Sequence, residues 1–371
     1  MRAVSRPIGL ACLLLASNPS FADYQLNLEP GVTSFSQGAY NIHTIVMWIC
    51  VIIGIVVYGA MTYSILKHRK TNHPNPAKFD DNTTIEILWT IIPVLILIAI
   101  AVPATKVLLA MEDTSNSDMS IKVTGYQWKW HYDYIGEDVS FFSNMSTPMD
   151  QIKNKEAKGE NYLLEVDNHM VIPTNKKVRF LFTANDVIHA WWVPAFGVKK
   201  DAIPGFINEG WAEVAEPGIY RGQCAELCGA NHGYMPIVVE AKSEQDYLAW
   251  LDEKKAAKAA ADASADKTWS MDELMAKGEA AYNTNCSACH MPTGEGLPGA
   301  FPGLINSPVV MGDIARHIEV VLEGVPGTGM QAFGPQLNDA DLAAIITYER
   351  NAWGNNTGDM VQPSDIKAAR K

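Results

Sequence analysis

Two long apolar segments constrain this fold more than any other feature of the sequence. Residues 42–66 and 85–109 are each apolar over about the 20 residues that a helix needs to cross a bilayer. The connection between them is basic: Lys67, Arg69, Lys70 and Lys78. Basic clusters mark the cytoplasmic side of a membrane, so we predict a helical hairpin with both flanking segments outside. Two buried helices of a soluble protein are the weaker alternative for runs this long.

Residues 1–22 have the pattern of a secretory signal peptide. Arg2 and Arg6 give a positive start, an apolar stretch follows, and small residues allow cleavage after Ala22. Cleavage there would leave a mature chain that begins outside the cytoplasm. Cys12 lies in the apolar stretch, so a lipoprotein anchor is the alternative.

A second segment has the composition of a metal site. Cys224, Cys228, His232 and Met235 offer two thiols, an imidazole and a thioether within twelve residues. Such soft ligands favour copper, whereas structural zinc sites rarely use Met. A mononuclear copper site needs one Cys, so the second Cys predicts two coppers bridged by two thiolates. His189 is the best candidate for a second imidazole, and a disulfide between the cysteines is the alternative in an oxidising compartment.

The composition agrees with a metal-binding protein and argues against a nucleic-acid-binding one. The formal net charge of -12 argues against nucleic-acid binding, which needs basic patches. Two of the six cysteines, Cys12 and Cys50, lie in apolar runs, and the other four form two close pairs. That distribution is typical of metal or cofactor binding and not of a disulfide framework.

From about residue 120 to 240, short apolar stretches with Gly and Pro turns predict a β-sandwich or barrel. Residues 123–134 alternate and predict one strand with its aromatic side chains on one face: Tyr126, Trp128, Trp130, Tyr132 and Tyr134. Further strands are predicted at 162–166, 177–182 and 236–240. Residues 143–160 are polar and predict a surface loop, and residues 252–267 predict a linker that is partly helical or disordered.

The second cysteine pair belongs to a haem signature. Cys286-Ser-Ala-Cys289-His290 has the Cys-x-x-Cys-His pattern of c-type haem attachment. The two thiols would add to the haem vinyl groups, and His290 would bind the iron. A thioredoxin-like dithiol is the alternative, but its βαβ pattern is absent from the sequence.

Met330 is the candidate for the sixth iron ligand, because it lies in a glycine-rich loop 40 residues after His290. Met291 is too close to His290, and Met311 lies where a helix is expected. A capping box at Ser270 and a cap at Asn338 predict the helices that frame this site: one includes Gly278, which would let the two cross closely.

These motifs resemble those of subunit II of cytochrome c oxidase, followed by a class I cytochrome c domain. The resemblance rests on Cys224-x-Glu226-x-Cys228, His232-x-x-Met235 and Asp186-Val-x-His189, and covers roughly residues 40–250. It implies a cupredoxin-like Greek-key fold that holds the binuclear copper centre CuA. The implied ligands are Cys224 and Cys228 as bridges, His189 and His232 as terminal ligands, and Met235 and the Glu226 carbonyl as weak axial ligands. The Glu226 side chain would also reach a magnesium ion shared with subunit I.

The resemblance assigns further roles to Trp128, Glu86 and Asp201. Trp128, in Gly-x-Gln-Trp-x-Trp, would be the point where electrons enter CuA. Glu86, in Glu-x-x-Trp, would lie at the mouth of a proton path into subunit I. A carboxylate in a membrane helix is costly and often functional, but Thr83-x-x-Glu86 also fits a capping box. Asp201 lies in a stretch near the subunit I boundary, where a local turn role is the simpler interpretation.

The predicted fold class is therefore multidomain: an α-helical transmembrane hairpin, an all-β cupredoxin-like barrel and an all-α cytochrome c domain. The expected boundaries follow the motifs: signal peptide 1–22, hairpin 23–115, CuA domain 116–251, linker 252–267, cytochrome domain 268–355 and tail 356–371.

The resemblance implies subunit II of a haem–copper oxidase in a bacterial inner membrane. Its partners would be subunits I and III, a cytochrome c or similar donor, and membrane lipid. The complex would reduce dioxygen to water and translocate protons. A quinol oxidase subunit II lacks the copper ligands, and nitrous oxide reductase needs more His than the nine present. A free membrane-anchored carrier of copper and haem remains the alternative.

Overall fold

The computed structural model of the chain describes residues 27–75, 80–264 and 267–370. The predicted signal peptide, with Cys12, and Lys78 of the basic connection lie outside these ranges. The chain divides into two units between Ala110 and Met111.

The first unit consists mainly of two long helices, α1 (Ser34–Lys67) and α2 (Thr83–Glu112). The last two residues of α2 are assigned to the second unit. Both are long and apolar enough to span a membrane, and their most apolar windows are not buried within the structure. They extend beyond the predicted spans at both ends. Thr33 begins α1 with a capping box that it shares with Ser36.

The start of α2 corrects one prediction. The Asn82 side chain, not that of Thr83, accepts the backbone N–H of Ile85 at 3.2 Å. Thr83 is already the first helical residue, and Glu86 lies one turn inside the helix with its side chain exposed. The predicted capping box between Thr83 and Glu86 is therefore wrong, because the cap position falls one residue earlier.

The second unit begins with a two-sheet β domain. Its strands in the described residues are β1 (Met119–Tyr126), β2 (Lys129–Tyr134), β3 (Val139–Ser143), β4 (Met170–Pro173), β5 (Val178–Ala184), β6 (His189–Val193), β7 (Val198–Ala202), β8 (Asn208–Ala212), β9 (Gly218–Cys224) and β10 (Pro236–Lys242). One sheet has the order β3-β2-β1-β5-β8 and the other β4-β10-β9-β6-β7. The pairs β1–β5 and β4–β10 are parallel. This arrangement confirms the predicted cupredoxin-like class.

Aromatic side chains fill the space between the two sheets. The Trp191 ring from the second sheet lies 5.3 Å from Phe180 and 5.5 Å from Phe182 of the first, measured between centroids. The Tyr134 hydroxyl bonds the backbone of Val171 across the same interior. These rings are fully buried and dominate the apolar area that holds the sheets together.

The aromatic run at 123–134 is a hairpin, not the single strand that was predicted. β1 and β2 pair with Gly125 opposite Trp130 and Tyr126 opposite Lys129, so the chain turns at Gln127 and Trp128. Trp130, Tyr132 and Tyr134 are buried, whereas Tyr126 shares the opposite face with Lys129 and Trp128 lies in the turn. A two-residue turn leaves the alternation uninterrupted in the sequence, which is why the pattern concealed it.

The remaining strand predictions have mixed outcomes. Strands β5 and β10 confirm those at 177–182 and 236–240. The strand predicted at 162–166 is wrong, since only Val166 forms an isolated bridge, with Met145. The predicted loop 143–160 contains a short helix, α3 (Met149–Ile152). Asp201 lies in β7 and not in a turn.

A long helix, α4 (Glu244–Ser264), replaces most of the predicted linker, and the boundary expected at 251 falls inside it. Its Ala- and Lys-rich sequence has high intrinsic helix propensity. The helix is attached to the β domain, because the Trp250 ring lies 5.2 Å from that of Tyr134 and Lys255 pairs with Glu137 at 2.7 Å.

The last domain is helical, with α5 (Met271–Asn285), α6 (Ser287–His290), α7 (Pro308–Met311), α8 (Ile314–Glu323), α9 (Asp339–Asn351) and α10 (Pro363–Ala369). The caps at Ser270 and Asn338 are as predicted. Helices α5 and α9 cross at Gly278, where a Cβ atom would lie 2.2 Å from the Ala344 carbonyl oxygen. This confirms the predicted close crossing.

The end of the chain is not the tail that was expected after residue 355. Val361 and Ile366 are fully buried in the same core as α9. Helix α10 therefore belongs to the cytochrome domain. The sequence concealed it because few apolar residues mark the segment: Met360, Val361, Ile366, Ala368 and Ala369.

Candidate copper and haem sites

Three segments of the β domain bring the candidate copper ligands together. His189 is the first residue of β6, and Cys224 is the last residue of β9, which pairs with β6. Cys228 lies in the loop that follows β9. His232 begins a short 3-10 helix, His232–Tyr234, and Met235 precedes β10.

The two thiols face each other with one imidazole beside each. Their Sγ atoms are 3.8 Å apart, far beyond the roughly 2.05 Å of a disulfide bond. The Nδ1 atom of His189 lies 3.9 Å from Cys224 Sγ, and that of His232 lies 3.5 Å from Cys228 Sγ. His189, Cys224 and Cys228 form a buried group whose ligand atoms lie within 4.8 Å of one another. The structure therefore contains two free thiols side by side, with one imidazole next to each.

Two weaker donors complete the surroundings of the sulfur pair. Met235 Sδ lies 3.5 Å from Cys228 Sγ, and the Glu226 carbonyl oxygen lies 3.4 Å from Cys224 Sγ. Each sulfur thus has a different third neighbour. Met235 is buried, whereas the Glu226 side chain is exposed and leaves its carboxylate accessible.

A second layer orients the His189 ring. Nε2 of His189 bonds Asp186 Oδ1 at 2.9 Å, so Nδ1 is the atom that faces Cys224. A carboxylate on the distal nitrogen is the usual arrangement for a metal-binding His. The ring also lies against Gly125, where a Cβ atom would come within 2.7 Å of His189 Cδ2. Sequence reasoning missed the role of Gly125, although the glycine belongs to the Gly-x-Gln-Trp motif.

The electrostatics of the site make a thiolate available. A hydrogen bond from the Cys228 thiol lowers the pKa of Cys224, and the same interaction raises the pKa of Cys228. Burial lowers the pKa of His189, but its bonds to Asp186 and Cys224 outweigh burial and raise it overall. The thiolate is the form of cysteine that binds metal.

The β1–β2 turn rests directly on the ligand loop. Trp128 Nε1 donates to the Cys228 carbonyl at 3.1 Å, and Gln127 Nε2 donates to the same oxygen at 2.8 Å. The Gln127 backbone N–H donates to Asp186 Oδ2 at 2.7 Å. Trp128 therefore contacts the ligand loop through a polar atom, and Gln127, which sequence reasoning missed, joins the loop to the carboxylate that orients His189.

The haem motif lies where α5 ends. Cys286 follows α5, and Cys289 and His290 lie in α6. His290 Nδ1 donates to the Pro302 carbonyl at 2.9 Å, which leaves Nε2 as the ring nitrogen available to a haem iron. Both thiols are free, and burial raises the pKa of each. The donor set and the orientation of His290 fit a covalently held haem c.

The candidate sixth ligands are distributed as the sequence suggests. Met330 lies in the loop 324–334 between α8 and α9, half-buried against the domain core. Met291 directly follows His290, and Met311 ends α7. The role of Met330 stays a prediction. Glu86 belongs to the first unit, on the exposed surface of α2.

An apolar helical hairpin, a β domain with a paired-thiol metal site and a helical domain with a haem signature define a multidomain electron-transfer protein. Residues 119–242 match the family described as cytochrome C oxidase subunit II, periplasmic domain. Residues 22–107 match the transmembrane domain of that subunit. Residues 273–348 match the family described as cytochrome C oxidase, cbb3-type, subunit III.

Individual relatives agree with these matches. A probable cytochrome c oxidase subunit 2 of Rickettsia felis is 41% identical over 67% of this chain and 78% of its own length. Cytochrome c oxidase subunit 2 of Cereibacter sphaeroides is 37% identical over 67% of this chain and 89% of its own. The periplasmic domain of subunit II (CoxB) of Bradyrhizobium japonicum, a crystal structure, is 42% identical over 38% of this chain and 97% of its own, with a TM-score of 0.35.

The chain belongs to the cytochrome c oxidase subunit II family and carries a cytochrome c domain fused at its C-terminal end. The family implies copper at CuA and a haem c, within an oxidoreductase complex that contains other subunits. The paired thiols and the His290 geometry fit these two groups.

Proposed function

We propose that the chain carries electrons from an external donor through its cytochrome domain and its CuA domain to subunit I of a haem–copper oxidase. When bound, the haem iron and the copper pair supply reversible one-electron transfer. The observation that carries the proposal is the pair of thiols 3.8 Å apart, each with an imidazole nitrogen within 4 Å.

Six groups of the β domain hold the copper pair in this proposal. Cys224 and Cys228 would hold the two coppers as thiolates, and His189 and His232 would bind them through Nδ1. Met235 and the Glu226 carbonyl are the weak axial donors, supported by their positions on different sulfur atoms. Asp186 holds His189 in the tautomer that this role requires.

The cytochrome domain holds its haem through Cys286 and Cys289, with His290 and Met330 as the axial ligands. The Pro302 carbonyl fixes the His290 ring. A thioether opposite a histidine favours the reduced iron and gives a high potential. Trp128 is the residue through which electrons enter the CuA domain, supported by its hydrogen bond to the Cys228 carbonyl.

The other proposed roles concern the complex. The exposed Glu226 side chain binds a magnesium ion shared with subunit I, and Glu86 lies at the mouth of a proton path into that subunit. Subunit III is a further partner, and a cytochrome c or similar protein is the donor. The complex translocates protons across a bacterial inner membrane. The chain would begin with a cleaved signal peptide, and both of its soluble domains would lie on the periplasmic side.

Metal analysis and spectroscopy of the purified complex test the central proposal. We expect two coppers and one covalent haem c on this chain, with a mixed-valence two-copper paramagnetic resonance signal. Cys224→Ser should leave at most a mononuclear copper site, because one bridge is lost. One copper per chain, or zinc, would contradict the proposal.

The same preparation distinguishes the free carrier. An oxidase subunit should copurify with a large haem-bearing partner that consumes dioxygen. A chain that carries both cofactors but purifies without such a partner would favour the carrier instead.

A further inference from the structure

We propose that Gln331 and Lys129 are positioning residues that dock the cytochrome domain on the β1–β2 turn, and that this docking contact places the domain for electron transfer into Trp128, which lies in that turn. The docking contact consists of Gln331 and Phe333 on the cytochrome domain and Gln127 and Lys129 on the β domain. The inference rests on the proposed function and identifies the residues that join its two halves.

The first interaction is a hydrogen bond between residues 204 positions apart. Gln331 Nε2 donates to the Gln127 backbone carbonyl at 2.7 Å. Gln331 directly follows Met330, the proposed iron ligand. Gln127 directly precedes Trp128, and its own side chain donates to the Cys228 carbonyl at 2.8 Å. The bond therefore joins Gln331, which is next to the proposed iron ligand, to Gln127. Gln127 is itself hydrogen-bonded to the backbone of Cys228, a proposed copper ligand.

A third glutamine fixes the orientation of the first. Gln336 Nε2 donates to Gln331 Oε1 at 3.3 Å and to the Ala332 carbonyl at 2.6 Å. Because Gln336 occupies the oxygen of the Gln331 amide, the nitrogen of that amide is directed at Gln127. The cytochrome domain itself therefore directs the Gln331 amide N–H towards the turn.

The second interaction is a buried cation between two rings. Lys129 Nζ lies 4.5 Å from the centroid of Phe142 in its own domain and 5.1 Å from that of Phe333 in the cytochrome domain. Lys129 is 6% exposed and Phe333 is 8% exposed, so water is excluded between the domains at this point. Cation–π attraction strengthens under such desolvation.

Lys129 also lies close enough to Cys286 and Cys289 for its charge to act on both of them. Burial lowers the pKa of Lys129 to about 8. The lysine is therefore a β-domain charge located beside the haem site of the neighbouring domain.

Beside the docking contact, a cleft of about 410 Å³ lies between β3 and α4 and the segment 335–338 of the cytochrome domain. One electron crosses per event: the reduced cytochrome domain is oxidised and the oxidised CuA domain is reduced, with no bond or proton exchanged.

The test uses the purified oxidase with the variant Gln331→Glu, which keeps the length and the acceptor for Gln336 but replaces the donor with a carboxylate that repels the Gln127 carbonyl. Gln362→Glu is the matched control, because Gln362 Nε2 makes a comparable 2.9 Å bond to the Trp269 carbonyl inside the cytochrome domain. The rate of electron transfer between the domains is measured after flash reduction of the haem. The distance between the two paramagnetic centres is measured by pulsed resonance.

We expect Gln331→Glu to slow this transfer roughly tenfold, equivalent to about 1.4 kcal/mol of docking free energy. The rate should become dependent on solvent viscosity, and the distance distribution should be broader than that of the natural protein. Gln362→Glu should change none of these. The haem potential is measured in parallel, and a slower rate that the potential alone accounts for, with an unchanged distance distribution, overturns the inference.

A second variant changes a residue of the β domain. Lys129→Met keeps the apolar stem, removes the cation and leaves the loop of Met330 untouched. It should also broaden the distance distribution and slow the transfer. If both variants have normal cofactor content and the natural rate and distance, the docking contact is overturned but the proposed function is not. A chain without haem c, or with fewer than two coppers, would contradict the proposed function itself.

Discussion

The His189 ring lies against Gly125, and a Cβ atom at that position would come within 2.7 Å of His189 Cδ2. Gly125 is on β1 and His189 begins β6, so the first sheet provides the wall of a site whose ligands come from the second. Asp186 holds the adjacent Nε2 atom of the ring by a hydrogen bond. Gly125 and Asp186 together therefore fix the position of the imidazole.

Gly125→Ala should therefore weaken copper binding. The added methyl group displaces the ring from Cys224, and we expect a loss of about 10- to 100-fold in metal affinity, as for other changes behind a ligand. Chelator competition measures it. Gly159→Ala is the control, since a Cβ atom at Gly159 would lie 3.8 Å from its nearest neighbour, the side-chain oxygen of Gln151. Equal copper retention in both variants would show that the ring has room to move.

Trp128→Phe should slow reduction of the CuA domain at least several-fold and leave its copper spectrum intact. Phenylalanine keeps an aromatic ring in the turn but cannot donate to the Cys228 carbonyl, which Trp128 Nε1 reaches at 3.1 Å. Rapid-mixing kinetics with a reduced donor measure the effect. Trp192→Phe, in β6 of the same domain, serves as the control. If the Trp128 variant is reduced at the natural rate, the indole only packs.

The sequence predicted the copper ligands because most of them are close along the chain. Cys224, Cys228, His232 and Met235 share one loop, and their spacing alone brings four soft or borderline donors together. His189 was found through its motif. The paired thiols and their neighbours in the structure agree with that interpretation, although the ligand roles themselves stay proposals.

Contacts between distant residues could not be predicted in the same way. The bond from Gln331 to Gln127 spans 204 positions and leaves no periodic signal. The turn at Gln127 and Trp128 was missed because alternation continues through it. Helix α4 was underestimated because its stabilising contact, Trp250 on Tyr134, depends on a strand more than 100 residues away.

Gly278→Ala should destabilise the cytochrome domain by about 1–3 kcal/mol, the usual cost of overpacking. The new methyl group would meet the Ala344 carbonyl and the Tyr348 Cβ atom, where α5 and α9 cross. Thermal unfolding followed at the haem absorption gives the free energy. Ala276→Ser changes an exposed position two residues earlier on α5 and should have little effect. Similar stability of both variants would argue against a close crossing.

Met330→Ala should remove the weak sulfur-to-iron absorption and lower the haem potential. Loss of the thioether removes the ligand that favours reduced iron, and we expect a fall on the order of 0.2 V within the roughly 0.8 V range that axial ligands span. Redox titration of the purified protein measures it. Met311→Ala, at the end of α7, is the control. Retention of the absorption in Met330→Ala, with its loss in the control, would transfer the assignment to Met311.

Glu86→Gln should slow dioxygen turnover without impairing assembly. The amide keeps the size and hydrogen-bonding capacity of the side chain but cannot carry a proton, whereas a purely structural role would tolerate it. The structure separates these roles, because the helix cap belongs to Asn82 and Glu86 lies one turn further on.

Asn82→Ala is therefore the matched control: it should cost about 1 kcal/mol of helix stability and leave turnover unchanged once the complex is assembled. Electron transfer between the haem and CuA domains should be the same in both variants, since neither substitution lies in those domains. Oxygen consumption per haem, with copper and haem content measured on the same sample, distinguishes the outcomes. Natural turnover in Glu86→Gln would exclude the carboxyl from the proton path.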